Sequence, residues 1–469
     1  MGLTDYNSLI EVTPQAGSLV GISKISLPEF IKTLSSMVNG WPLLIYVIII
    51  SIIYTVALRG IQFRYLWTAL KSTVAPSDTG VQQESNVSPF HAFISTINSN
   101  LGNGIIAGVA TAIYAGGPGA ALWFVIFGFI LMAVRFAEVY LSTLYASKST
   151  EKTVLGGPML YLKAVPGGKY LPFIYAFSCV FYGLIGGNIA QANSIAVSLS
   201  STWGVAPLYT GLALLGFVLY ILFGGAQRIV KISVSIVPIK VIVFMLSSIS
   251  VLLFHYKSLL SALYLIVTSG LGFNAVAGGA VGFSLQQMIV MGMARSVFCT
   301  ESGLGSAAIL FGSTGNDNAA QNGFMGMVST FISTCIGFIV AVCIVASGVW
   351  NSGLNSTALT IAAFDTVFGA YGGWIVSFLA ISFGFGVMVS YAYVVRSAWL
   401  YVTNNRFDNL FTIVYSLCAF GGSLAAVDVV WDLTDIVIAI MLFINLYGLL
   451  MLLPKIRTQV IDQLRTYRV

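Results

Sequence analysis

Apolar runs long enough to cross a bilayer recur along this chain, and that recurrence leaves it few ways to fold. A helix needs about 20 residues to span a hydrocarbon core of roughly 30 Å. Runs of this kind occupy 41–58, 89–113, 120–144, 171–197, 208–223, 232–254, 269–293, 323–350, 371–401, 410–427 and 433–453, eleven in all. Backbone groups left unpaired in lipid cost several kcal/mol, so spans this long must bond internally, as helices. The chain is 58% hydrophobic and only 8% charged, whereas a soluble domain carries roughly 25% charged residues. The expectation is an all-α polytopic membrane protein lodged in the lipid bilayer, with no nucleic-acid surface behind its net charge of +6.

The charge is distributed as loop charge that sets orientation. With the N-terminus outside, the cytoplasmic connections hold Arg59, Arg64 and Lys71 near the start and Lys455, Arg457, Arg465 and Arg468 at the end. The outer connections hold only Lys24, Lys32 and Lys257, and Lys240 is left inside a span. This bias predicts a multi-pass protein of the cell's inner (plasma) membrane, N-terminus outside and C-terminus cytoplasmic. The short apolar piece 259–267 reads as an interfacial helix. The first forty residues show no cleavable signal pattern, and the five cysteines (Cys179, Cys299, Cys335, Cys343, Cys418) have no metal-ligand or CxxC spacing, which predicts inert thiols.

One span is apolar enough for lipid yet reads Asn98-Ser99-Asn100-Leu101-Gly102-Asn103-Gly104 at its centre, three amides and two glycines in seven residues. Irregular backbone at that depth survives only where it lines a cavity, so this helix is expected to unwind around a bound solute. The run 269–293 is the second Gly-interrupted span, with Gly270, Gly272, Gly278, Gly279 and Gly282. Two broken spans at matching places in two halves point to inverted repeats with a site at their junction; close helix packing by small residues is the alternative. Half-helix ends offer amides to a carboxylate and carbonyls to an ammonium. The two expected breaks hold no Asp, Glu, Lys or Arg, which favours a small neutral amino acid over a charged cargo.

Several blocks resemble the sodium–alanine/glycine symporters of the amino acid–polyamine–organocation superfamily: SPFHAF (88–93), IAGVATAIYAGGPGA (106–120), RFAE (135–138), GGPMLYL (156–162), NIAQANSIA (188–196) and ARSVFCTESGLGSA (294–307). The resemblance implies a five-plus-five inverted-repeat amino-acid transporter fold with one extra N-terminal span. It divides the chain into an N-terminal segment 1–88, a first repeat 89–254, a second repeat 255–454 and a cytoplasmic tail 455–469. Carried over by position, it implies substrate contacts at Asn100, Asn103 and Gly104 in the first core helix and Gln191 in the third. It places the break of the sixth at Gly278, Gly279 and Ala280, and an aromatic near the pocket at Tyr391.

The same resemblance implies a sodium site near Leu101, Gly104, Gly384 and Val387. There the family's Ser/Thr pair, which supplies hydroxyl oxygens to sodium, reads Gly386-Val387, leaving backbone oxygens only. The expected activity is cation-coupled symport of alanine, glycine or a similar solute by alternating access, with no cofactor beyond the coupling ion, sodium or a proton. A proton-coupled or uncoupled exchanger and a transport-dead sensor are the alternatives. An intramembrane enzyme is disfavoured, because no G-x-S-x-G or HExxH motif occurs and His91 and His255 lie in distant segments. The Arg135–Glu138 pair, one turn apart, is expected to satisfy itself, with gating by it, or by Arg295 with Glu301, as the lesser reading.

Overall fold

A computed structural model describes residues 41–74, 88–147, 156–272, 285–315, 318–425 and 427–466. The described residues form helices joined by turns. Besides the short helices Ile61–Arg64, Leu66–Val74 and Pro158–Tyr161, they are α1 (Trp41–Ala57), α2 (Pro89–Asn100), α3 (Val109–Gly116), α4 (Gly119–Ala146), α5 (Leu171–Leu184), α6 (Ala190–Trp203), α7 (Pro207–Leu222) and α8 (Gly225–Phe254). There follow α9 (Tyr256–Gly270), α10 (Leu285–Thr300), α11 (Ser306–Gly312), α12 (Ala319–Ala346), α13 (Ser356–Phe368), α14 (Tyr371–Val402), α15 (Asp408–Leu424) and α16 (Val427–Thr466). Six helical stretches are long and apolar enough to cross a membrane: Gly119–Ala146, Leu171–Trp203, Ser235–Phe254, Ala319–Ala346, Tyr371–Val402 and Leu433–Leu464. Shorter apolar helices are Pro42–Ala57, Gly104–Gly116, Pro207–Leu222 and Ser356–Phe368.

The helix ends follow local chemistry. Ser88 caps α2 by accepting the His91 N–H at 3.2 Å, with Pro89 at the first helical position, where its missing donor costs nothing. Gly204, at φ 67, ends α6 in the left-handed conformation that glycine adopts without strain. Asn318 caps α12 through the Gln321 N–H at 3.1 Å.

The core lies between α4 and α12, whose close approach rests on small residues. A Cβ on Gly323 would come within 2.8 Å of the Phe136 ring, and one on Gly326 within 2.8 Å of Val139. Small residues let backbones meet where lipid supplies no hydrophobic drive. Helices α10 and α11 pack on α4, while α14 lies against α2, α5, α6 and α8.

The second half departs from the sequence reading in one respect. Helix α9 ends at Gly270, and α10 runs on to Thr300, well past the expected boundary at 293. Arg295 and Glu301 end the apolar run in sequence, yet Ser296, Val297, Cys299, Thr300 and Glu301 are all buried. Thr300 Oγ1 donates to the Ser296 carbonyl at 2.8 Å and Glu301 accepts from Ser306 Oγ at 2.8 Å, partners that a hydropathy pattern does not count.

Candidate functional site

The first interruption lies where the amide-rich stretch pointed. Helix α2 ends at Asn100, Leu101 leaves the helical region at φ −81 and ψ 65, and the chain re-forms as a π turn over Gly104–Gly108 before α3. A second π turn, Ile185–Ile189, joins α5 to α6. Such i→i+5 turns are frequent at functional sites.

Opposite stands a second interruption, Glu301–Gly305, between α10 and α11. Glu301 holds φ 51 there, with Gly303 at φ 90 and Gly305 at φ 82. The exposed helix ends are closed by the fully buried Arg135–Glu138 pair of α4, 2.7 Å apart. Arg135 donates to the Thr300 carbonyl at the end of α10. Glu138 Oε2 accepts the Gly303 and Gly305 amides at 3.1 and 3.2 Å and the Asn445 amide at 3.3 Å. The pair therefore satisfies more than itself: a cation meets the carbonyl end of one half-helix and an anion meets the amides leading into the next. The two interruptions pack crosswise, with α2 beside α11 and α3 beside α10.

Between them is a small cavity lined by Ser99, Asn100, Gly102, Gly104, Tyr182, Gly186, Gln191, Phe298, Cys299, Glu301, Val387 and Tyr391. Of the residues singled out from sequence, Asn100, Gly104, Gln191, Tyr391 and Val387 thus meet at one place. Asn103 adjoins it, its N–H donated to Gln191 Oε1 at 3.3 Å, and Gln191 Nε2 in turn donates to the Gly186 carbonyl at 3.1 Å. Gly384 faces Asn103, where an added Cβ would lie 2.9 Å from Nδ2. Gly278, Gly279 and Ala280 lie outside the described residues.

Three features of the site differ from the sequence reading. The interruption at 301–305, which is not the expected break at 278–280, contributes a carboxyl group, Glu301, only 3% exposed and bonded to Ser306 Oγ at 2.8 Å, so the site is not free of ionisable groups. The first break holds the Lys240 ammonium of α8 against the Leu101 carbonyl at 3.0 Å. The cavity offers the centre of a water-sized sphere only about 10 Å³, room for about one water and too little for an amino acid. Phe298 and the phenol of Tyr391 fill the remainder. Phe298 stacks on the bare Cα of Gly104, where any Cβ would overlap its ring.

The sequence pointed to Glu301 only as a gate with Arg295, and to neither Phe298 nor Lys240 as a site residue. The signal for the first was an acid followed by two spaced glycines in 301–305, and for the last a lone lysine inside an apolar span. Phe298 also lines a larger cavity of about 150 Å³ that includes Leu43, Met291, Arg295, Asp435 and Leu442. It is therefore the wall between the two spaces. The Nε of Arg295 is buried there with no hydrogen-bond partner.

The most informative polar groups are those of Asn100 and Asn103. All four side-chain nitrogen and oxygen atoms of these two residues are buried and unpaired, and the residues are 3% and 2% exposed. A buried polar group left unsatisfied costs about 1–3 kcal/mol. Such a cluster of orphans at a helix break has hydrogen-bonding capacity that the fold does not use.

Comparison with known proteins places this geometry. A family model described as the sodium:alanine symporter family matches residues 24–468. An uncharacterised transporter of Haemophilus influenzae is 30% identical over 447 residues, 94% of this chain and 96% of that protein. The sodium/alanine symporter AgcS of Methanococcus maripaludis is 30% identical over 433 residues, 90% of this chain and 94% of its own. A solved structure of a Na⁺-coupled sialic acid symporter, substrate-bound and outward-open, shares the fold with TM-score 0.52 at 11% identity, covering 86% of this chain and 84% of its own.

Proposed function

The chain belongs to the sodium:alanine symporter family, and on that premise we propose that it is a secondary active transporter of small neutral amino acids such as alanine or glycine. It is coupled to a cation, sodium or a proton, and works by alternating access. The observation that carries this reading is the set of four unpaired polar atoms on Asn100 and Asn103 beside the cavity. A zwitterion offers an acceptor and a donor to just such amides. The positive dipole end of the helix that restarts at Gly104 suits its carboxylate, and the Glu301 carboxyl and carbonyl ends suit its ammonium. A neutral cargo adds no net charge to the membrane interior.

Substrate contacts are assigned to Asn100, Asn103, Gly104, Gln191 and Tyr391, with Gly278, Gly279 and Ala280 retained from the family pattern. We further propose eleven spans in the plasma membrane, N-terminus outside and C-terminus cytoplasmic. Inverted repeats 89–254 and 255–454 follow an N-terminal segment, 1–88, and precede a tail, 455–469. The crosswise packing of α2 with α11 and α3 with α10 supports the inversion. The tight cavity corresponds to a contracted state, and loading requires the Phe298 wall toward the larger cavity to swing aside.

Counterflow of labelled alanine in proteoliposomes tests the reading. Accumulation driven by unlabelled alanine inside is expected, and glycine should compete. Alanine binding without exchange would make the protein a sensor, and neither binding nor exchange of any small neutral amino acid would refute the assignment.

A further inference from the structure

The carbonyl end of α2 gathers backbone and side-chain oxygens at one point. A helix C-terminus carries partial negative charge, and here the break turns the Asn98 and Leu101 carbonyls toward α8. What stands against them is the side chain of Lys240, fully buried. Its Nζ donates to Asn98 Oδ1 at 2.5 Å, Leu101 O at 3.0 Å and Asn98 O at 3.3 Å. An ammonium has three donors, and three oxygens take them. The open side faces the ring of Phe383, with Nζ 5.1 Å from its centroid, an arrangement in which the ring's negative face meets the cation. Among the described residues no carboxylate pairs with it, so the helix end is its counter-charge.

A second observation concerns α14. Gly386 abuts the same group: a Cβ there would lie 2.6 Å from Lys240 Nζ and overlap Asn98 Oδ1, and the Gly386 carbonyl accepts the Asn98 amide at 2.9 Å. Gly386 and Val387 offer no side-chain oxygen, and the space that a side chain at 386 would fill holds the ammonium. The lack of side-chain oxygens at these two positions of α14 and the cation tethered from α8 are two sides of one arrangement.

We propose that the Lys240 ammonium takes the place of a sodium ion at the break of the first core helix, so that this chain moves its amino acid without sodium there. Carbonyls of an unwound helix and half-helix C-terminal ends are what sodium uses in such folds. With all three oxygens engaged and a like charge already present, a second cation has neither ligands nor a favourable field. The inference rests on the transporter reading for its consequence, but the occupancy of the site can be tested apart from it.

Two measurements on the full chain decide it. The first is thermal unfolding of purified protein in detergent, with sodium chloride exchanged for choline chloride at constant ionic strength. The wild type should show no sodium-dependent shift, whereas Lys240→Ala, which frees the three oxygens, should gain one, and Lys240→Arg should not. The second is alanine counterflow in the same two salts. An ion that couples to its co-substrate changes affinity by about 5–150-fold, whereas the wild type should change by less than about twofold, below that range. A sodium-dependent rise in melting temperature of the wild type, or a loss of exchange of about fivefold or more in choline, would overturn the proposal. If Lys240→Ala does not fold, the wild-type titration still decides. If the wild type exchanges no alanine at all, the transporter reading fails while the sodium titration continues to report on the site.

Discussion

Single side chains at the two breaks carry opposite kinds of work. Asn103 is written into an apolar run and ends up buried with both polar side-chain atoms unpaired, so its amide does not serve the fold, and the proposed function assigns it to the cargo. Asn103→Leu should therefore abolish alanine counterflow while leaving insertion and melting unchanged; transport at wild-type rate in that variant would move the site elsewhere. Glu138 is the reverse case, holding the Gly303 and Gly305 amides and the Arg135 guanidinium together in full burial. Glu138→Gln leaves Arg135 as an uncompensated buried charge, which costs about 3–5 kcal/mol. Thermal unfolding in detergent should show that loss, and an unchanged melting point would mean the pair does not hold the second break. The sequence made Asn100 and Asn103 legible because amides stand out against lipid-facing composition. It did not make Glu301 legible as a site residue, since an acid after an apolar run reads as a loop.

The elements that matter are interrupted ones, and their geometry depends on missing side chains. Gly104 begins a π turn whose backbone carries the face of Phe298, and no Cβ fits between them. Gly104→Ala should block exchange and cost about 1–3 kcal/mol of overpacking. Adding Phe298→Ala should restore folding stability, the non-additivity expected of residues in contact; additive losses in the double variant would show that the two do not touch. Helices α14 and α15 are tied by Arg396 and Asp408 through two bonds of 2.8 and 2.6 Å. The guanidinium holds the Asp408 carboxyl below its usual range. A carboxylate with a depressed pKa stabilises the fold above its unfolded value and loses that contribution as pH falls through the folded one. The pair is partly exposed, so Asp408→Asn should cost no more than about 1 kcal/mol near neutral pH, and the difference from wild type should vanish in acid. A gap that widens on acidification would contradict the pairing.

At the scale of the whole molecule, the proposed orientation is open to direct labelling. Lys257→Cys should react with a membrane-impermeant maleimide on intact cells, and Lys455→Cys only after permeabilisation; the opposite pattern would invert the assignment. The all-helical class of the described residues and the first break come from the sequence by itself, because hydropathy and amide content are local properties that lipid reads directly. What only the tertiary structure decided is which distant groups meet. The second interruption falls at Glu301–Gly305 because Arg135 and Glu138, far earlier in the chain, are there to receive its amides and carbonyl. Lys240 becomes the cation of the first break because α8 passes the carbonyl end of α2 within hydrogen-bond reach. Burial of a charge is favourable only where opposite partial charges converge on it, and that convergence is a property of packing that no single stretch of chain contains.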